Sequence, residues 1–189
     1  MRPFFVALMA GLLASCATIS IKTNIDPAYK DTLQKVAVVS NALNISISVS
    51  DGATAEVTDK PLGVYLSDTM AKEITASGIE AQSFNSTGLE LDSADIEKRI
   101  QSYGPRQVIA INLISGTTVP VFFTQRLKSG LFDISVLDVA SQKTVWRGSV
   151  SLNGLSDWGI PSSSFEQMIQ KAVKELQTSG LLVEMKPAS

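Results

Sequence analysis

The residue types that carry most covalent and acid–base chemistry are scarce in this 189-residue chain. It has no histidine and a single cysteine, Cys16. Without histidine no Ser-His-Asp or Cys-His triad can be built, and the commonest general base and metal ligand are missing. No P-loop, no Gly-x-Gly-x-x-Gly segment and no supported Ser-x-x-Lys constellation is present. Carboxylates remain. Glu90, Asp92, Asp95 and Glu97 lie close together, where a glycosidase pair or a calcium site would be conceivable. They also sit at the start of an expected helix, where acids favour the macrodipole. Capping and solvation are the preferred account, so no catalytic residue, no metal site and no cofactor is expected.

Cys16 itself stands in an informative context. Met1-Arg2 gives one positive charge, and Phe4 to Leu13 is an uncharged apolar run. That run is far shorter than the roughly 20 residues that span a bilayer. A charged start, a short apolar core and small residues after it describe a secretory signal. The run ends in Leu13-Ala14-Ser15-Cys16, which resembles the lipobox of bacterial lipoproteins. The resemblance implies that residues 1–15 are removed as a signal peptide and that Cys16 becomes the lipidated first residue. Stable anchoring takes more than one acyl chain, and the lipoprotein modification supplies them. The mature protein is then expected to be anchored to a membrane rather than to span it. Ala17 stands where many inner-membrane lipoproteins have Asp. By that analogy the anchor faces the periplasm from the outer membrane.

Charge adds an exclusion. Without Arg2 the chain has 15 basic and 18 acidic side chains, a net of about −3. Nucleic-acid binding wants a basic domain, so no such partner is expected. No disulfide can form within the chain, and the fold must stand on its core.

The elements that would position any site follow from periodicity. Residues 16–33 contain Pro27 and no clear period, and read as a lipidated tether, although Ile19, Ile21 and Ile25 could dock as an edge strand. Residues 34–184 read as one domain. Lys35 to Ser40 is a buried strand. Ile45, Ile47 and Val49 alternate with serines before Asp51-Gly52, which signals a hairpin. A three-residue loop pairing Ile47 with Val57 and Val49 with Ala55 keeps one apolar face and is preferred. Leu66, Met70 and Ile74 stripe a helix over 62–77, stopped by Gly78. A short strand over 79–84 and a helix from about 92 to 103 follow. Gln107 to Ile114 is nearly continuous in apolar residues and reads as a central strand covered on both faces. Leu131–Val139 and Thr144–Leu152 form a second hairpin. Its expected pairs are Asp138 with Thr144, Val136 with Trp146 and Phe132 with Val150. Ser163-Ser164-Phe165-Glu166 reads as a capping box. The helix that follows carries an apolar stripe from Phe165 to Leu176 and ends at Gly180.

This order, β-(ββ)-α-β-α-β-β-β-α, predicts a single layered α/β (α+β) domain. Its mixed sheet should have about five to seven strands, with three helices. Asp138 to Gly148 resembles the D-x-x-T-G-K-x-x-W-x-G hairpin of the TolB amino-terminal and curli-secretion lipoprotein type of periplasmic domain. Ser141-Gln142 replaces the usual Thr-Gly.

One connecting segment, 115–130, could do more than connect. Phe122 and Phe123 are adjacent, so in a strand they point to opposite faces. Arg126 and Lys128 lie just beyond, and aromatic and Arg residues are the usual anchors of protein interfaces. Burial of both rings is the alternative. Trp158 is similar: it either caps the core or offers a contact. Phe122, Phe123, Arg126, Lys128 and Trp158 are thus the candidate partner contacts.

The expected function is a membrane-anchored, non-enzymatic envelope lipoprotein that binds or helps to assemble another envelope protein. A lipoprotein binding a small ligand or lipid is the alternative, and a carboxylate-dependent cell-wall hydrolase a third. A secretion pore would need spanning strands of about 9–11 residues, for which only residues 44–59 and 117–130 offer material.

Overall fold

In the computed structural model, residues 18–42, 45–50, 57–85, 93–121, 124–154 and 159–183 are described. They form the expected mixed α/β domain: a six-stranded sheet, a two-stranded sheet and three helices. The strands are β1 (Thr18–Ile25), β2 (Lys35–Ser40), β3 (Ser46–Ser50), β4 (Val57–Pro61), β5 (Glu80–Ser83), β6 (Gln107–Val121), β7 (Thr124–Asp138) and β8 (Lys143–Asn153). The helices are α1 (Leu62–Ala76), α2 (Ser93–Tyr103) and α3 (Ser162–Thr178). The large sheet runs β1-β8-β7-β6-β2-β5, and β3 pairs with β4 alone. β2 is parallel to β5 and β6, whereas β6, β7, β8 and β1 are antiparallel in turn.

The stripes of α1 and α3 explain one layer. Leu66, Met70 and Ile74 of α1 and Phe165, Met168, Ile169, Ala172, Val173 and Leu176 of α3 are buried on one face of the sheet. They meet Val36, Val38, Ile109, Ile111, Phe132, Ile134, Val136, Trp146, Val150 and Leu152. Full burial of one aliphatic side chain contributes about 1.5–3 kcal/mol, so this cluster is the main source of stability in a domain without disulfides. The other face is covered only near α2. There Val108 and Ala110, which alternate with the buried Ile109 and Ile111, are half-buried. The expectation that the β6 strand is covered on both faces thus holds only in part.

Further expectations are corrected. Residues 18–33 are folded chain, and the edge strand allowed for Ile19, Ile21 and Ile25 forms in place of a tether. β1 pairs along its whole length with β8, and Leu33 is buried with its N–H donating to Leu181 O at 2.7 Å. The docking of Ile19, Ile21 and Ile25 against the core is what draws the segment in. The first hairpin takes another register: Ile47 faces Lys60 and Ser48 faces Asp59. β4 runs directly into α1, and Leu62 N donates to Ile45 O at 2.6 Å. The base of the hairpin is therefore set by the helix and not by its turn. Finally, α3 begins at Ser162 without a side-chain cap. Glu166 instead accepts a 2.7 Å hydrogen bond from Tyr65 Oη and so links α3 to α1. Burial, then the Glu166 carboxylate, raise the pKa of this phenol above its ordinary value.

The second hairpin keeps its expected pairs Val136–Trp146 and Phe132–Val150. A bulge after Val136 then puts Leu137 opposite Thr144 and Asp138 opposite Lys143, so the Asp138–Thr144 pair is not formed. Asp138 closes the turn by accepting Ser141 Oγ at 2.7 Å and Ser141 N at 2.9 Å. Gln142 sits at φ 55°, a conformation that costs an L side chain and that glycine adopts freely. This is why the resembling pattern has Gly there. Its W-x-G ending has a reason too. A Cβ on Gly148 would lie 2.6 Å from a ring carbon of Trp146, so only glycine lets the indole lie flat over the strand.

Asp138 belongs to a larger network. Tyr29 Oη donates to it at 3.3 Å, Gln107 Nε2 donates to Tyr29 Oη at 3.0 Å, and Gln34 N donates to Gln107 Oε1 at 3.2 Å. Gln107 is fully buried, and this satisfaction of its amide is what makes its burial tolerable. The Ser141 hydroxyl and then the Ser141 N–H hold the Asp138 carboxyl below its ordinary value.

Two outcomes follow. Gly148→Ala should lower the urea midpoint by a destabilisation of about 1–3 kcal/mol, because the added methyl displaces the Trp146 ring. Ser141→Ala should cost about 1–3 kcal/mol at neutral pH, as expected for a hydrogen bond to a charged group. Asp138 has a depressed folded pKa. Its stabilisation is complete above the ordinary Asp value and is lost as pH falls through the lower folded value. The gap between Ser141→Ala and the native protein should therefore narrow in urea titrations carried into that acid range.

Candidate functional site

The segment read as a connector is a β-ribbon. β6 and β7 are each 15 residues long and pair from Gln107–Asp138 out to Val121–Thr124. β2 accompanies β6 only as far as Ile111, and β8 accompanies β7 only from Ser129 onward. The rest of the ribbon runs past the sheet. Phe122 and Phe123 join its two strands and lie outside the described residues, as does Trp158.

Two irregularities shape the ribbon. The register of the pair shifts at Ile114 in β6 and at Lys128 in β7. Bulges bend a strand and re-aim a side chain. Ile114 is 60% exposed, the largest exposure among the large apolar side chains described. Between the bulges Gly116 faces Gly130. A Cβ on Gly116 would be 2.7 Å from Leu127 Cδ1, and one on Gly130 would be 2.8 Å from Leu127 Cδ2. Leu127, buried to 2% exposure, occupies the space that the two glycines leave.

Arg126 is held within the fold. Its Nη2 donates to Ser48 Oγ and lies 3.5 Å from Asp59 Oδ1, and Ser48 Oγ itself donates to Asp59. The guanidinium is 22% exposed. It ties the β3–β4 hairpin to the root of the ribbon, a structural use that the sequence did not suggest. On the same side Gly154 N donates to Lys128 O at 2.9 Å and Ile160 N donates to Leu127 O at 2.7 Å. Segment 154–160 thereby braces β7. Of the candidate contacts, Arg126 holds this root through its side chain, and Lys128 contributes its backbone carbonyl.

The outer edge of β6 is different. Asn41 Oδ1 accepts Leu113 N at 2.8 Å. Beyond that point, among the described residues, no strand pairs with this edge. Ser115, Gly116, Thr117, Thr118 and Pro120 are exposed. Pro120 cannot donate to a ladder, and proline within sheets is confined to such edges.

The carboxylates offer no assembled site in the described residues. Asp95 lies 3.9 Å from Lys98, and Glu97 accepts Gln101 Nε2 at 3.2 Å, both on the surface of α2. Glu90 and Asp92 lie outside the described residues, and no group of three potential metal ligands converges among the residues described.

One cavity has apolar character. Ile96 and Ile100 of α2 face Val108, Leu137 and Val139 across a groove of about 670 Å³. Leu137 and Val139 are exposed within it. The sequence suggested a groove between sheet and helix but not which helix. The narrow apolar face of α2, only Ile96 and Ile100, leaves the sheet imperfectly covered.

No protein-family model and no curated protein sequence matches the chain. Solved structures do. The PelC dodecamer of Paraburkholderia phytofirmans matches in two crystal forms. A point variant superposes with a TM-score of 0.53 at 16% identity, covering 85% of this chain and 99% of that one. A second form gives 0.50 at 16% identity, covering 85% and 98%. A lipoprotein of Neisseria meningitidis matches at 0.39 and 17% identity over 77% of this chain and 99% of that one, too distant to carry an argument. What these likenesses establish is the fold, which this chain shares with the PelC subunit over nearly its whole described length.

Proposed function

We propose that this chain is an envelope lipoprotein, held to the outer membrane by lipid on Cys16, which acts as a non-enzymatic accessory module by pairing with another envelope protein. The observation that carries the reading is the edge of β6 from Ile114 to Pro120, which no strand among the described residues pairs, on a ribbon that outruns its sheet. An exposed edge is a template for strand addition, in which main-chain hydrogen bonds supply affinity. Natural sheets usually cover or blunt such an edge. Here Pro120 blunts its far end, and the stretch from Ile114 to Val119 keeps its donors. The PelC structure is a dodecamer, so a second copy of this chain belongs among the partners to be looked for. A fold of this kind supports many functions, and the residue types that exclude histidine- and thiol-based catalysis favour a binding role.

The test is photocrosslinking in intact cells from Thr118 and from Phe122. A discrete crosslinked envelope protein, or a discrete homo-oligomer, is expected from both. The adduct from Phe122 should be lost when Thr118→Pro removes a donor from the edge, and metabolic palmitate label should be lost in Cys16→Ser. A folded, lipidated protein that crosslinks to nothing discrete would refute the pairing.

The α2 groove favours a second reading, the binding of a small apolar molecule such as an acyl chain. Its volume and its Ile96, Ile100, Val108, Leu137 and Val139 lining suit such a ligand. Native mass spectrometry should then show a copurifying mass that Val108→Asp abolishes. An unliganded mass after purification from cells would dismiss this reading.

A further inference from the structure

Pairing places four residues of different strands in one row across the sheet. Thr18 of β1 faces Asn153 of β8, Asn153 faces Ser129 of β7, and Ser129 faces Thr117 of β6. β1 runs from Thr18 away from the free part of the ribbon, because it pairs next with Leu152 and ends opposite Trp146. The chain that enters β1 therefore arrives from the ribbon side. Only Ala17 separates Cys16 from Thr18, so Cys16 lies at most roughly 7 Å from the row. From Thr117 to Val121 the ribbon continues toward that same end of the sheet. The ribbon and the point where the chain enters β1 thus share one end of the sheet.

We infer that the free part of the β6–β7 ribbon, Thr118–Val121 with Thr124–Gln125, rests on the phospholipid surface, while the Asp138–Lys143 turn points away from it. This rests on lipidation of Cys16. Acyl chains on Cys16 enter the bilayer within two residues of that end of the sheet, and this brings the end that carries the ribbon to the headgroups. Composition agrees. From Leu113 to Phe132 there is no Asp or Glu, in a chain that has 18 of them. An anionic lipid surface repels carboxylates. Thr118, Pro120 and Gln125 are exposed and Val119 and Thr124 half-buried, whereas Val121 is buried, so the ribbon end presents hydroxyl and amide groups and the Pro120 ring to the interface. At the opposite end the turn carries Asp138, with Ala140 exposed beside it. The anchor is then short and the orientation fixed. The unpaired β6 edge stands beside the membrane, where a partner reaching it would itself be membrane-bound.

The test uses the lipidated mature protein in vesicles of phosphatidylethanolamine and phosphatidylglycerol that contain a phospholipid brominated on its acyl chain. The lipid blocks the Cys16 sulfur, so Gln125→Cys and Ala140→Cys each offer one thiol for an environment-sensitive fluorophore. Both positions are exposed, and circular dichroism checks that each variant is folded. Severalfold stronger quenching at 125 than at 140 is expected, with a blue-shifted emission at 125 alone. A lipidated protein that floats with the vesicles and shows equal quenching at both sites overturns the orientation and leaves the anchor standing. A mature chain whose intact mass shows no lipid on Cys16 overturns both.

Discussion

Strand β6 gives one edge wholly to β7, from Gln107 to Val121, but shares its other edge with β2 only as far as Ile111. The antiparallel β6–β7 pair is therefore the joint between two sheets of different character. On one side lie the parallel strands β2 and β5 with α1. On the other lie β8 and β1 with α3. If β6 and β7 separated, the helices would no longer share a core, because α1 and α3 meet over strands from both sides. The same pair, extended past the body, is the ribbon. Fold and proposed surface thus depend on one set of backbone hydrogen bonds.

The pair is held by opposite means at its two ends. At the Asp138 end a buried polar network of Gln34, Gln107, Tyr29 and Ser141 leaves the carboxylate and the amide with partners. Such a network is costly if half-made and specific if complete. At the ribbon root the means is shape. Leu127 fills the gap over Gly116 and Gly130, and Arg126 draws in the β3–β4 hairpin through Ser48 and Asp59. Between the two ends the lock is ordinary apolar packing of alternate side chains on α1 and α3.

Much of the fold was legible in local pattern. The stripes of α1 and α3, the stops at Gly78 and Gly180, and the Val136–Trp146 and Phe132–Val150 pairs need only the periods of helix and strand. The ribbon was not legible, for a definite reason. Gly116, Ser129 and Gly130 carry turn-like composition, yet the glycines are there because the buried side chain of Leu127 needs their space. In strands, glycine often marks such a close approach. The register of β3 against β4 was misread because an alternating pattern is compatible with several loop lengths, and the start of α1 chose among them. Arg126 looked like a surface anchor because its partners, Ser48 and Asp59, are far from it in sequence.

What the sequence by itself determined is the chemistry this protein lacks and the local sites it carries. There is no imidazole, and the lone thiol stands at the end of a signal-like apolar run. Both are matters of composition and short-range order. Only the tertiary structure decided what lies beside Thr18, where the described chain begins. Thr18 comes into line with Thr117 because β8 and β7 lie between them, and strand pairing across nearly a hundred residues leaves no mark in any local window of the chain.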